Sequence, residues 1–133
     1  MNGRDRYGWT PLIYAARGGR RTDICRLLLR RGADLNAVDK RGRNALMHAI
    51  INNIHNTMAK FLIDAGIDLN ARDGEGRTAL MYAAQERGSG FLCRLLLDAG
   101  ADVNAVDAKR RSAMDYAGSV EIEDLLLSRG ARG

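Results

Sequence analysis

Asp5, Asp39, Asp73 and Asp107 stand 34 residues apart, and most of what surrounds each of them recurs with it. A self-similar period of this size means stacked supersecondary units. It also limits what function can look like, because such an array offers a modular surface in place of one cleft closed by a global fold. The units open Asp5, Gly8, Thr10, Pro11, Leu12, Tyr14, Ala15; Asp39, Gly42, Asn44, Ala45, Leu46, His48, Ala49; Asp73, Gly76, Thr78, Ala79, Leu80, Tyr82, Ala83; and Asp107, Ser112, Ala113, Met114, Tyr116, Ala117. An apolar block follows in each (Ile24–Leu29, Met58–Ile63, Leu92–Leu97, Ile122–Leu127), and each block ends before Gly32, Gly66, Gly100 or Gly130.

The residue types define one unit. Thr10, Asn44, Thr78 and Ser112 share a phase, and all four are preferred N-cap residues whose side-chain oxygen accepts an orphan backbone N–H. Pro11 follows the first cap, where its fixed φ and missing N–H suit a helix start. A short first helix rich in Leu and Ala therefore begins there. The second helix has apolar residues at helical spacing, as in Ile24, Leu27 and Leu28, and the glycine after it terminates it. The Asp-x-x-Gly segments between units are tight turns in which the aspartate accepts backbone hydrogen bonds. One helix pair cannot bury both its faces, whereas stacked pairs cover each other. The expected fold is an all-α solenoid of stacked helix-turn-helix units with turn or hairpin extensions.

Gly8-Trp9-Thr10-Pro11-Leu12, then Ala15-Ala16, Leu27-Leu28 and Gly32-Ala33-Asp34-Leu35-Asn36, resembles the ankyrin repeat in order and spacing. The resemblance covers nearly the whole chain and implies a single ankyrin-repeat domain over 1–133. Its repeats run about 5–38, 39–72, 73–106 and 107–133, the last shortened as a C-terminal cap. Three departures stand out. The period exceeds the usual ~33 residues by one, in the segment between the two helices. The histidine that normally follows Thr-Pro-Leu is replaced by Ile13, Met47, Met81 and Asp115. In the last unit, Arg110 occupies the turn-glycine position.

Cys25 and Cys93 lie two periods apart on equivalent helices, which puts them near 20 Å from one another if units step by a helix-packing distance of about 10 Å. A disulfide requires Cα atoms within about 7 Å, so both are expected as buried thiols, consistent with a reducing, cytoplasmic location. No stretch is long enough to span a bilayer, and the polar, basic N-terminus has no apolar signal region. Met1–Arg4 is too short to cover an outer face made of Leu12, Ala16 and Leu28, whereas Asp115, Glu121, Glu123, Asp124 and Arg129 make the last unit a polar cap. The chain is thus expected to be a monomer or a segment of a longer array, with self-association through the first unit as the other option.

No catalytic constellation or cofactor motif emerges, and the expectation is a non-enzyme without cofactor. The two histidines, His48 and His55, have no partners at zinc-ligand spacing. Gly74-Glu75-Gly76 and Gly88-Ser89-Gly90 lack the Lys-Ser/Thr of a phosphate loop.

Binding is expected on two ladders of 34-residue spacing. Trp9, Arg43, Arg77 and Arg111 precede the helix caps, beside Arg6, Lys40, Arg41, Arg72, Lys109 and Arg110 in the turn regions, and Glu75 is counted with them as a candidate binding residue. Tyr14, His48, Tyr82 and Tyr116 lie in the first helices, flanked by Ile13, Met47, Met81, Arg17, Ile51, Gln85 and Glu86. The resemblance implies that both ladders project along the concave surface. Tyr, Trp and Arg dominate binding hot spots, and a row of arginines steers an acidic partner; packing between first helices and a solvated basic edge are the open alternatives for the two rows. The net charge of +5 is modest, and an aspartate at every turn interrupts the basic track, against a dense row of phosphate contacts. Three functions are weighed. The first is a protein–protein interaction module holding an extended or acidic polypeptide in the concave groove. The second is an oligoadenylate or nucleotide-type ligand sensor, since Gly42–Ala49 is similar to a repeat in the 2′,5′-oligoadenylate-dependent ribonuclease. The third is an engineered scaffold, against which the irregular Ile50–His55 segment and Lys60 speak.

Overall fold

The computed structural model describes residues 3–19, 21–52, 56–85 and 90–132. Within them lie eight helices and no strand: α1 (Pro11–Gly18), α2 (Thr22–Arg30), α3 (Ala45–Ile51), α4 (Thr57–Asp64), α5 (Ala79–Ala84), α6 (Phe91–Asp98), α7 (Ala113–Tyr116) and α8 (Val120–Ser128). The chain divides into two compact units, Met1–Asp68 and Leu69–Gly133, each holding two helix pairs. His55, Glu86, Gly88 and Ser89 lie outside the described residues.

The caps that start the first helices are those the sequence specifies. Thr10 accepts from Ile13 N at 3.3 Å, Asn44 from Met47 N at 3.0 Å and Thr78 from Met81 N at 3.4 Å. In the fourth repeat, Asp115 takes the position that holds an apolar residue elsewhere and accepts from the Ser112 N–H at 2.9 Å, closing a capping box. Two orphan donors of α7 are thereby satisfied reciprocally. This helix has only four residues before Ala117 turns to extended backbone, and Ser119 caps α8 at once through Ile122 N. That is the physical form of the shortened last repeat.

Within each unit, first helices pack on first helices and second on second: α1 against α3 and α2 against α4, then α5 against α7 and α6 against α8. The first unit buries Leu12, Ile13, Ala16, Cys25, Leu46, Met47, Met58 and Leu62; the second buries Leu80, Met81, Leu92, Cys93, Leu96, Ile122 and Leu126. Asparagines after the second helices tie consecutive repeats: Asn36 Oδ1 accepts from Asp68 N at 2.8 Å, and Asn70 Oδ1 from Asp102 N at 2.9 Å.

Two expectations need correction. Ile13, Met47 and Met81 do not flank a surface; they are core residues, as their position one turn inside the caps faces the neighbouring first helix. The uncovered apolar face of the first repeat is likewise not Leu12 and Ala16, which are buried, but Ile24 and Leu27 on α2. Small Cys25 is the only buried residue of α2, and the flanking large side chains stay at the rim.

Candidate functional site

Each inter-repeat turn is built by its aspartate. The Asp39 carboxylate accepts the Arg41 and Arg43 backbone N–H groups on Oδ1, both at 2.9 Å. Asp5 does the same with Tyr7 and Trp9, Asp73 with Glu75 and Arg77, and Asp107 with Lys109 and Arg111. The backbone closes around it: Gly42 N donates to Asp39 O at 2.9 Å, and Asp39 N to Arg43 O at 2.9 Å.

The second carboxylate oxygen reaches nine residues ahead into the first helix. Tyr14, Tyr82 and Tyr116 donate their hydroxyls to Asp5, Asp73 and Asp107. In the second repeat, His48 Nε2 lies 2.7 Å from Asp39 Oδ2. Every repeat therefore locks its turn to its first helix through one carboxylate whose two oxygens are both engaged.

The protonation states follow from these contacts. Burial works to raise the Asp39 carboxyl, but the Arg43 N–H, the His48 ring and the Arg41 N–H outweigh it and hold its pKa below the ordinary value. Asp107 is held low in the same way, burial being outweighed by Tyr116, the Arg111 and Lys109 N–H groups and the Arg111 side chain. His48 is pushed down, first by burial and further by the charges of Arg17 and Arg43, against the pull of Asp39. The imidazole is accordingly neutral at pH 7. Its Nε2–H donates to Asp39, leaving Nδ1 to accept from Arg17 Nη1 at 3.2 Å.

Consecutive turns also touch within each unit. Lys40 N donates to Tyr7 O at 3.1 Å and Ala108 N to Glu75 O at 2.9 Å. The approach is close enough to exclude a side chain at the turn glycine: a Cβ on Gly8 would stand 2.7 Å from Lys40 N, and one on Gly76 2.8 Å from Ala108 N. Arg110, with φ 62, is the one non-glycine residue in the left-handed region among the described residues. The sequence after it folds into α7 and α8, not into another turn that would pack on it.

In the first unit these contacts gather an aromatic and basic cluster. The Trp9 ring lies 5.1 Å from Tyr7, 5.1 Å edge-on to Tyr14 and 5.5 Å edge-on to His48. The Arg17 guanidinium sits over the Trp9 ring at 4.2 Å, and that of Arg6 over Tyr7 at 4.8 Å. Arg6, Tyr7, Trp9, Asp39, Lys40, Arg41 and Arg43 line a cleft with a cavity volume of about 500 Å³. In the second unit, Arg77 lies over Tyr82 at 5.9 Å and pairs with Glu75 at 2.6 Å. Arg111 lies over Tyr116 at 5.1 Å and contacts Asp107 at 3.0 Å.

The candidate residues are thus placed in two groups. Trp9, Tyr14, Lys40, Arg41, Arg43 and His48 converge in the first unit; Glu75, Arg77, Tyr82, Lys109, Arg111 and Tyr116 converge in the second. Lys40, Arg41, Glu75 and Lys109 are exposed, Trp9, Arg43, Arg77, Arg111 and Tyr116 half-buried, and Tyr14 50% exposed. His48 and Tyr82 are buried, at 1% and 8% exposure. They offer little surface to a partner and hold the turns beneath the exposed side chains. Sequence reasoning missed Tyr7, a cleft residue, because it has no aromatic counterpart in the other turns. It also missed the aspartate-to-first-helix bond. The signal was present: a hydroxyl or ring N–H recurs nine residues after each aspartate.

No helix of the described residues is long and apolar enough to cross a membrane, and no group of three or more His, Cys, Asp or Glu that could hold a metal occurs among them. No curated protein matches the chain. A family model described as ankyrin repeats (3 copies) matches residues 1–73, 21–107 and 55–132. Such repeats are in general non-catalytic protein–protein interaction modules. With that match running over nearly all of its length, the chain belongs to the ankyrin-repeat family.

Proposed function

We propose that this protein is a non-catalytic module that binds a partner polypeptide of acidic character through the turn side of its repeats, the side the family resemblance makes concave. The observation that carries the reading is the recurring pairing of a turn-borne arginine with an aromatic ring, Arg77 over Tyr82 and Arg111 over Tyr116. A guanidinium held on a ring loses less freedom when it meets a carboxylate, and rings and arginines together carry most hot-spot energy. The surface residues are Trp9, Tyr14, Lys40, Arg41, Arg43, Glu75, Arg77, Lys109, Arg111 and Tyr116, with His48 and Tyr82 positioning them. The chain acts as one domain of four repeats, bounded at 5–38, 39–72, 73–106 and 107–133, in a reducing, cytoplasmic setting that keeps Cys25 and Cys93 as thiols.

Capture of partners from a whole-cell lysate tests this. Wild-type chain should retain a protein that the Arg43→Ala/Arg77→Ala chain, shown folded by circular dichroism, does not. Equal retention by both chains would remove the turn-side surface from the reading. A nucleotide-type ligand is the competing reading, supported by Trp9 standing among cations and by the similarity of Gly42–Ala49 to a repeat of the oligoadenylate-dependent ribonuclease. Titration with oligoadenylate, followed by Trp9 emission, decides between them.

A further inference from the structure

The cleft between the first two turns has a composition that the repeat architecture does not require. Of its charged lining, Arg6, Lys40, Arg41 and Arg43 are cationic and Asp39 alone is anionic. Asp39 stays charged, but its Oδ1 is engaged by the Arg41 and Arg43 N–H groups and its Oδ2 by His48. With four cations against that one hydrogen-bonded carboxylate, the cleft presents a net positive field. It also carries two rings, Tyr7 and Trp9, inclined at 37° to each other. Tyr7 is 47% exposed although its backbone is pinned by Lys40 N. At about 500 Å³, the space falls within the usual 300–1,000 Å³ of a ligand pocket and is ample for one aromatic side chain and its neighbours.

We infer that this cleft is an anchor pocket for an aromatic side chain flanked by carboxylates on the partner polypeptide: the ring is received by Tyr7 and Trp9, and the acids by Lys40, Arg41 and Arg6. The inference rests on the protein-binding reading above and names the chemistry of the segment that reading requires. Charge complementarity sets the sign of the flanking groups, and the tilted ring pair sets the anchor, since aromatic groups pack favourably in offset or edge-on arrangements. A single-stranded nucleic acid fits less well. It needs successive stacking platforms along a basic track, and the positions equivalent to Trp9 in the next three repeats are Arg43, Arg77 and Arg111.

Trp9 is the only tryptophan, so its emission reports on the cleft directly. The probes are a Glu-Asp-Tyr-Glu-Asp peptide, the same peptide with alanine for tyrosine, its lysine-flanked counterpart, and an oligoadenylate. The acidic tyrosine peptide should give a saturable change in Trp9 emission that weakens as salt is raised. Its affinity should fall about tenfold both with alanine in place of tyrosine and in a Lys40→Ala/Arg41→Ala chain. That variant keeps the fold's own contacts, because Lys40 and Arg41 serve the turn through their backbone N–H groups. No saturable change, equal binding of the lysine-flanked peptide, or tighter binding of oligoadenylate would each overturn the inference. Lysate capture with the wild-type chain separates the two levels. A captured protein without peptide binding removes the pocket and leaves the protein-binding reading standing; neither capture nor peptide binding by the wild-type chain removes both.

Discussion

The His48 ring donates from Nε2 to Asp39 Oδ2 across 2.7 Å, at the place where the other three repeats set a tyrosine hydroxyl on the equivalent aspartate. The acceptor is constant and the donor varies. The turn-to-helix lock thus depends on an N–H or O–H at that height, and the carboxylate is its indispensable half.

Asp39→Asn should destabilise by about 2–3 kcal/mol, because an amide nitrogen would then face the His48 N–H. His48→Tyr, which installs the side chain used by the other repeats, should stay within about 1 kcal/mol of wild type. Urea unfolding followed by circular dichroism measures both. If the two variants lost equal stability, the carboxylate would not be the controlling partner.

The same pair predicts a two-stage acid response. The folded pKa of His48 lies below its ordinary 6.5, so the unfolded chain binds the proton first and stability declines as pH falls below 6.5. Asp39 is shifted below 3.8. Its contribution is fully present above that value and is lost as pH falls through the lower folded pKa. His48→Tyr should abolish the first stage and leave the second, as thermal midpoints between pH 7 and pH 3 will reveal.

Arg110→Gly should stabilise the chain by about 1 kcal/mol, since a left-handed backbone costs a non-glycine residue roughly that much. Gly76→Ala should do the reverse and more, because the added Cβ meets Ala108 N at 2.8 Å as well as the unfavourable φ of 77. Melting curves for the two variants should move in opposite directions.

Leu62→Ala and Leu96→Ala should each cost about 2–5 kcal/mol as buried truncations, both leucines being fully buried. Leu27→Ala, at a residue 50% exposed, should stay within about 0.5 kcal/mol. Denaturant midpoints compare the three; a Leu27 effect as large as the others would mean that α2 is covered in solution.

Cys25 is fully buried, its Sγ is 3.7 Å from Met58 Sδ, and burial, with a smaller push from Asp23, raises its pKa to about 11. At pH 8 a thiol-reactive dye should label it in urea and leave it untouched in the folded chain. Fast labelling under native conditions would contradict that burial.

Local chemistry made much of this protein legible in advance. The 34-residue period, the Thr10, Asn44, Thr78 and Ser112 caps, Pro11 and the Asp-x-x-Gly turns are short-range features, each satisfied by backbone atoms a few residues away, so order and spacing alone determine them. What needed the tertiary structure was the fate of side chains that alternate between core and surface over one helical turn. Ile13, Met47 and Met81 were indistinguishable from surface flankers until α1 was seen against α3, and α5 against α7. Ile24 and Leu27 scan as core by period, yet burial depends on what lies opposite, and helix periodicity carries no information about the neighbour. The cleft is the extreme case. Tyr7 and Trp9 meet Lys40, Arg41 and Arg43 from a full repeat away only because successive turns approach closely enough for Lys40 N to bond Tyr7 O, a juxtaposition made by packing between repeats.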